Sequence, residues 1–295
     1  MALAGWERLP DSAHVGKVRL AVSKLERSVA FYRDVIGLAV LSRDGKLARL
    51  GAHGGKDVLV ELEELPLVSP IRERSRLGLY HTAFLLPSRA DLSRFVRHLW
   101  ARGVVFAAGD HAVSEALYLV DPDGLEVEVY ADRPRELWQW TGGELRMGTW
   151  PVKLAELAAV TEVSGTVWQG APVGTRVGHV HLYVGSLRLA EQFYCQGLGL
   201  DIMVRIPSAL FTSAGGYHHH VGLNVWAAAS PVAGEADARL LYWELVLPDA
   251  MEVERVAARL LAAGYVETVS SAGERAFVDD AGITVALVVS DAEAA

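Results

Sequence analysis

Alternating apolar and polar positions mark short strands along this chain, and apolar residues at helical spacing mark the segments between them. Residues 18–22 alternate as a strand. Residues 25–36 set Leu25, Val29, Phe31, Tyr32 and Ile36 on one helical face, and Gly37 ends that helix. Short strands follow around Leu47–Leu50 and Val58–Leu62. The order then recurs: a strand at 80–86, a helix over 89–102 closing near Gly103, and strands near 104–107, 116–120 and 125–130. Beyond the middle of the chain the whole pattern starts again. The segment VRLAVSKLERSVAFYRDVIGL from Val18 aligns with VHLYVGSLRLAEQFYCQGLGL from Val180, which puts Phe31-Tyr32 on Phe193-Tyr194 and Gly37-Leu38 on Gly199-Leu200. Further on, Pro87 meets Pro248 and Gly103 meets Gly264. A repeat of this kind gives matched residues equivalent places in the fold. The prediction is an α+β protein of four βαβββ modules. Residues 1–131 hold two of them and residues 172–295 the other two. Residues 132–171, with Pro134, Gly142-Gly143 and Pro151, form a linker carrying one helix over Val152–Val160.

A length of 295 residues suits two such halves. Apolar residues at 51% and charged residues at 22% exclude a disordered or collagen-like chain. No apolar run approaches the roughly 18 residues that cross a bilayer, and the first residues lack a basic segment followed by an apolar one, so a cytoplasmic protein is expected. A net charge of −8 disfavours nucleic acid or an anionic membrane as partner. The lone cysteine, Cys195, permits no internal disulfide and no cysteine-rich zinc site, so any metal must be held by nitrogen and oxygen. No Gly-x-Ser-x-Gly elbow, phosphate-binding loop or His-Glu-x-x-His helix is present.

Two local patterns carry candidate chemistry. Along Leu125–Tyr130, Val127 and Val129 take one face and Glu126 and Glu128 the other; an inward carboxylate there requires compensation. In the run Tyr217 to Trp226, alternation sends Val221, Leu223 and Val225 to the core and leaves His218, His220, Gly222 and Asn224 to line a cleft, with His219 read as structural.

The fourfold βαβββ order resembles the vicinal oxygen chelate superfamily, which includes glyoxalase I, fosfomycin-resistance enzymes, bleomycin-binding proteins and extradiol ring-cleaving dioxygenases. The stretches around Leu79-Tyr80-His81, Gly109–Gly124, Tyr130–Trp138 and Ser213–Trp226 are most similar to bacterial catechol-2,3-dioxygenases of the two-domain type. The resemblance implies clefts made by paired modules, in which first strands supply two metal ligands and a last strand supplies a carboxylate. Applied here, it places His81, Glu128 and His179 in one cleft if the second and third modules pair, and Lys17, Tyr242 and Ala286 in the other. The first set is the 2-His-1-carboxylate arrangement that suits Fe(II), with Mn(II) as an alternative. In the better-known two-domain extradiol enzymes the cleft lies wholly within the C-terminal domain, so this arrangement departs from them. The expected substrates are a small aromatic diol and O₂. His220 or His111 would be the acid/base group, and Asn224, Tyr118, His218, Tyr130 and Trp226 would contact substrate. The fused modules leave a homo-oligomer open. Two rival readings follow from the same resemblance: a Ni(II)- or Zn(II)-dependent glyoxalase-like isomerase, and a metal-free binding protein. The isomerase would need a second carboxylate near Gly222, which has no side chain; Glu61 holds one, in the other cleft.

Overall fold

The four modules follow one another along the chain in a computed structural model that describes residues 5–160 and 167–290. The first comprises β1 (His14–Val22), α1 (Leu25–Phe31), β2 (Ala39–Asp44), β3 (Leu47–Gly51) and β4 (Val58–Glu64). The second comprises β5 (Gly78–Leu85), α2 (Arg89–Ala101), β6 (Ala107–Asp110), β7 (Ser114–Val120) and β8 (Glu126–Asp132). A hairpin of β9 (Trp140–Thr141) and β10 (Glu144–Leu145) and a short α3 (Leu154–Ala158) occupy the connection, where the sequence predicts a longer helix alone. The third module comprises β11 (Arg176–Tyr183), α4 (Leu187–Glu191), β12 (Asp201–Ile206), β13 (Ala209–Ser213) and β14 (Val221–Asn224). The fourth comprises β15 (Arg239–Leu247), α5 (Ala250–Ala262), β16 (Glu267–Val269), β17 (Arg275–Val278) and β18 (Thr284–Val289). The strand predicted at 104–107 begins only at Ala107, because Val104 and Phe106 pack against the core instead of pairing.

Two eight-stranded mixed sheets result, ordered β16-β17-β18-β15-β1-β4-β3-β2 and β12-β13-β14-β11-β5-β8-β7-β6. The first module therefore pairs with the fourth and the second with the third, and each sheet takes one module from each half of the chain. Apolar residues of both sheets, among them Val18, Leu20, Phe84, Val127, Leu182 and Leu245, join one buried core. Helices α2 and α5 start at side-chain caps, Ser88 accepting from the Asp91 amide and Asp249 from the Glu252 amide.

The repeat is also visible in how the sheets are tied together. The Tyr194 hydroxyl donates to Asp279 Oδ2 at 3.0 Å, and the matching Tyr32 hydroxyl to Asp121 Oδ2 at 3.5 Å. Each bond links a helical segment from one sheet's modules to a hairpin turn of the other sheet. Both aspartates also close their own turns, Asp121 Oδ1 accepting the amides of Asp123 and Leu125, and Asp279 Oδ1 those of Ala281 and Ile283.

One irregularity occurs four times. The central strand pairs carry a one-residue bulge at Gly16-Lys17 in β1, Tyr80 in β5, Gly178 in β11 and Leu241 in β15. A bulge re-aims the side chain beside it. The residues so placed are Lys17, His81, His179 and Tyr242.

Candidate metal centre

His81 and His179 lie on neighbouring antiparallel strands, and β8 runs parallel to β5 on the far side with Glu128 beside Ala83. On β8 the alternation puts Val127 and Val129 in the core and turns Glu126 and Glu128 to the other face. His81 Nε2 lies 3.0 Å and His179 Nε2 lies 3.2 Å from the same oxygen, Glu128 Oε2. The three side chains are buried, and one donor atom from each falls within 4.8 Å of the others.

One carboxylate thus serves two imidazoles. Burial favours the neutral form of Glu128, but the charge and hydrogen bonding of His179 and His81 outweigh it and hold the carboxyl well below its usual range. Burial also opposes charge on His81; Glu126 and Glu128 overcome it and push the ring up to about 9. At His179 burial wins, with the charge of His81 adding to it against the pull of Glu128, and the pKa falls to about 4. Neither ring nitrogen of His81 makes a well-aligned hydrogen bond among the described residues: Nε2 meets Glu128 Oε2 at 3.0 Å and Nδ1 stands 3.6 Å from Glu126 Oε1. Two nitrogens and a carboxylate oxygen, buried, converging and incompletely hydrogen-bonded, form a donor set that a divalent cation would satisfy.

Beside this cluster lies a cavity of about 490 Å³. His81, Glu126 and Glu128 contribute one side, Val204, Ile206 and Phe211 an apolar wall, and Tyr80 and Trp226 an aromatic one. Trp226 is partly exposed and donates through Nε1 to Ser208 Oγ. Tyr118 and His111 also line the space. The His111 Nδ1–H donates to the Gly148 carbonyl at 2.7 Å, so the neutral ring accepts the Tyr118 hydroxyl at Nε2, 2.6 Å away. Burial, then the Glu128 charge, keeps the Tyr118 phenol protonated, its pKa well above the usual value.

Several expected substrate contacts lie elsewhere. His220 is buried outside the cavity, its Nδ1 accepting the Ala214 amide, and burial pushes its pKa down to about 3. Asn224 uses its carbonyl to accept the Trp226 amide, and neither it nor His218 borders the cavity. Tyr130 stands behind His179, with ring centroids 4.9 Å apart, and its hydroxyl bonds that of Tyr217. The reason is common to the two histidines. Strand β14 begins only at Val221, so its alternation does not run back through the preceding histidines. His219, not its neighbours, lines the cavity, its ring 4.0 Å from that of His179. His181 lines it too, as do Met147, Gly148 and Thr149 from the connection between the halves.

The equivalent place in the other sheet is closed by ion pairs. Lys17 Nζ bonds Glu244 at 2.8 Å, the Tyr242 hydroxyl donates to Glu61 at 3.1 Å, and Arg19 and Arg49 also reach Glu61. Ala286 offers no donor there.

A family model described as Glyoxalase/Bleomycin resistance protein/Dioxygenase superfamily matches residues 13–129, from β1 to β8. The chain is 44% identical over 259 residues to a protein of Bacillus subtilis (strain 168) named catechol-2,3-dioxygenase, covering 86% of this chain and 90% of that protein. The chain belongs to the Glyoxalase/Bleomycin resistance protein/Dioxygenase superfamily. Solved structures of the superfamily fold superpose over nearly all of it. A structure titled putative dioxygenase from Bacillus subtilis subsp. subtilis str. 168 covers 96% of this chain and 86% of its own at a TM-score of 0.66 and 14% identity. Glyoxalase I from Zea mays covers 94% of this chain and 92% of its own at 0.56 and 17%. These two likenesses speak to the fold alone.

Proposed function

We propose that this protein is an extradiol dioxygenase that opens the ring of a catechol with O₂ at a metal held by His81, Glu128 and His179. The observation that carries this reading is the convergence of two imidazole Nε2 atoms on one Glu128 oxygen beside a cavity of about 490 Å³. Kinship to a protein named catechol-2,3-dioxygenase supports it. The donor set favours Fe(II), with Mn(II) accepted by the same atoms. Fe(II) held there would supply neighbouring coordination positions for a diol and O₂ and a path for electrons between them.

The surrounding side chains do the rest. Val204, Ile206, Phe211 and Trp226 hold an aromatic ring and exclude water. Tyr118, kept protonated, donates its one hydroxyl proton to His111, which fixes its oxygen beside Glu128 as an acceptor. His219 is neutral, because burial and then the neighbouring His179 and His218 rings push its pKa well down, and its ring borders the cavity, where an unprotonated nitrogen can accept a phenolic proton. The cavity is roughly three times the ~150 Å³ that holds benzene, so the diol ring can carry an apolar substituent against Phe211 and Ile206.

The test is to load the protein anaerobically with Fe(II), add oxygen with a panel of plain, alkyl- and aryl-substituted catechols, and follow the yellow ring-opened semialdehyde. Turnover is expected, and it should vanish in Glu128→Ala. A correctly metallated protein that turns over no catechol would overturn the assignment.

A further inference from the structure

Residues 218–220 place three imidazoles in sequence, and the structure gives them different surroundings. His219 borders the cavity. His218 stands behind it, 0% exposed and outside the cavity. His218 Nδ1 lies 2.7 Å from His219 Nδ1, and His218 Nε2 lies 2.9 Å from Asp132 Oδ1. Asp132 ends β8, the strand that carries Glu128, and its side chain is 24% exposed. The Tyr217 hydroxyl donates to the same Asp132 oxygen at 3.3 Å.

These contacts determine where protons sit. A carboxylate only accepts, so the nitrogen facing Asp132 carries the hydrogen of His218. In the neutral ring, His218 Nδ1 is then a lone pair. The 2.7 Å contact becomes a hydrogen bond only if His219 supplies the proton from its own Nδ1. His219 is thereby left with an unprotonated Nε2, and that nitrogen has no protein hydrogen-bond partner among the described residues.

We propose that Asp132 and His218 are positioning residues that hold His219 in its Nδ1–H tautomer and so present its Nε2 lone pair to the substrate cavity. The purpose of this arrangement rests on the ring-cleavage reading; its geometry does not. Which nitrogen of an imidazole bears the proton is set by the bond the other one makes. Here the choice passes through a second imidazole to a carboxylate at the edge of the sheet. The logic is that of a Ser-His-Asp triad, in which the acid fixes the tautomer of the base without being protonated itself.

Long-range ¹H–¹⁵N correlation on ¹⁵N-histidine-labelled, metal-free protein reads the tautomers directly, with His218→Gln and His219→Gln assigning the signals. His219 should appear as the Nδ1–H form and His218 as the Nε2–H form at neutral pH. Asp132→Asn provides an amide that can donate to His218 Nε2, which reverses both rings and leaves His219 protonated on Nε2. In the Fe(II)-loaded variant kcat should fall by about 10²-fold or more, with KM and metal content little changed. An Nε2–H signal for His219 in the unmodified protein, or a signal unmoved by Asp132→Asn, overturns the proposal. If Asp132→Asn does not fold, the unmodified protein's spectrum decides alone. The expected tautomers without turnover of any catechol would sink the ring-cleavage reading and leave the positioning intact.

Discussion

The imidazole of His181 fills the space above Gly222: the two residues pair directly between β11 and β14, and a Cβ on the glycine would lie 2.8 Å from the ring. The repeat gives this contact its meaning. His179 matches His81, so His181 matches Ala83; Ala83 pairs with Glu128, and His181 pairs with Gly222. Gly222 therefore stands where a second carboxylate would face the first. A glyoxalase-like isomerase needs an acid at that place, and here a histidine ring takes the room. Gly222→Ala should cost about 1–3 kcal/mol by overpacking. His181→Ala in the same chain should recover part of it, with a coupling of roughly 0.5 kcal/mol or more. Urea unfolding of the four proteins in the cycle measures this; strictly additive effects would show that the ring and the glycine are independent.

Metal binding should stabilise the folded chain through one sheet only. At a hundredfold excess of Mn(II) over its dissociation constant, linkage predicts about 2.7 kcal/mol of added stability. Glu128→Gln should abolish both the bound metal and the stabilisation. Tyr242→Phe, in the sheet closed by ion pairs, should keep both. Elemental analysis and denaturant unfolding with and without the ion provide the comparison, and equal effects of the two substitutions would contradict the location of the site.

Much of this centre is legible in the chain itself. The resemblance to the superfamily, laid over the repeat, points to His81 and His179 on first strands and Glu128 on a last strand, and alternation on β8 separates Glu126 and Glu128 from Val127 and Val129. His181 carried a readable signal that went unused, since it follows His179 by two residues and so shares its face. His219 carried none, because the segment before Val221 is a turn, where period-two reasoning does not hold. The wall built by Met147–Thr149 was hidden in what reads as a linker, for no local pattern says that a connection folds back over a site.

Two buried aspartates should contribute stability that is lost as the solution is made alkaline from mild acid. Burial raises Asp121 to about 7 and Asp279 to about 6, far above the roughly 3.9 of an unfolded aspartate. Between those values the folded chain holds at these two carboxyls protons that the unfolded chain releases, so their contribution to folding stability declines from near pH 4 through the folded pKa and then levels. Asp121→Asn keeps an oxygen for the amides of Asp123 and Leu125 and removes the ionisation. It should be more stable than the unmodified protein at pH 8, by on the order of 2–4 kcal/mol, with that advantage gone near pH 4. Unfolding curves across this range test it; an advantage that grows toward acid would reverse the sign and refute the argument.

The bulge before His179 admits no side chain. A Cβ on Gly178 would collide with the Tyr130 hydroxyl, so Gly178→Ala must move the strand or the ring. Metal affinity should drop by at least tenfold, a displacement of the His179 ligand worth about 1.4 kcal/mol. Adding Tyr130→Phe, which deletes the offending oxygen, should restore part of it. Titration with Mn(II) followed by calorimetry gives the affinities, and an unchanged constant in Gly178→Ala would show that the bulge does not aim the ligand.

The same kink precedes Lys17 and Tyr242, where ion pairs occupy the space and, among the described residues, no converging donor set forms. The backbone keeps its mould whether or not anything is cast in it. The same frame thus serves two ends in this chain, converging donors in one sheet and charge pairing in the other. Catalytic capacity in such a protein is a matter of a few side chains hung on a shape that does not depend on them.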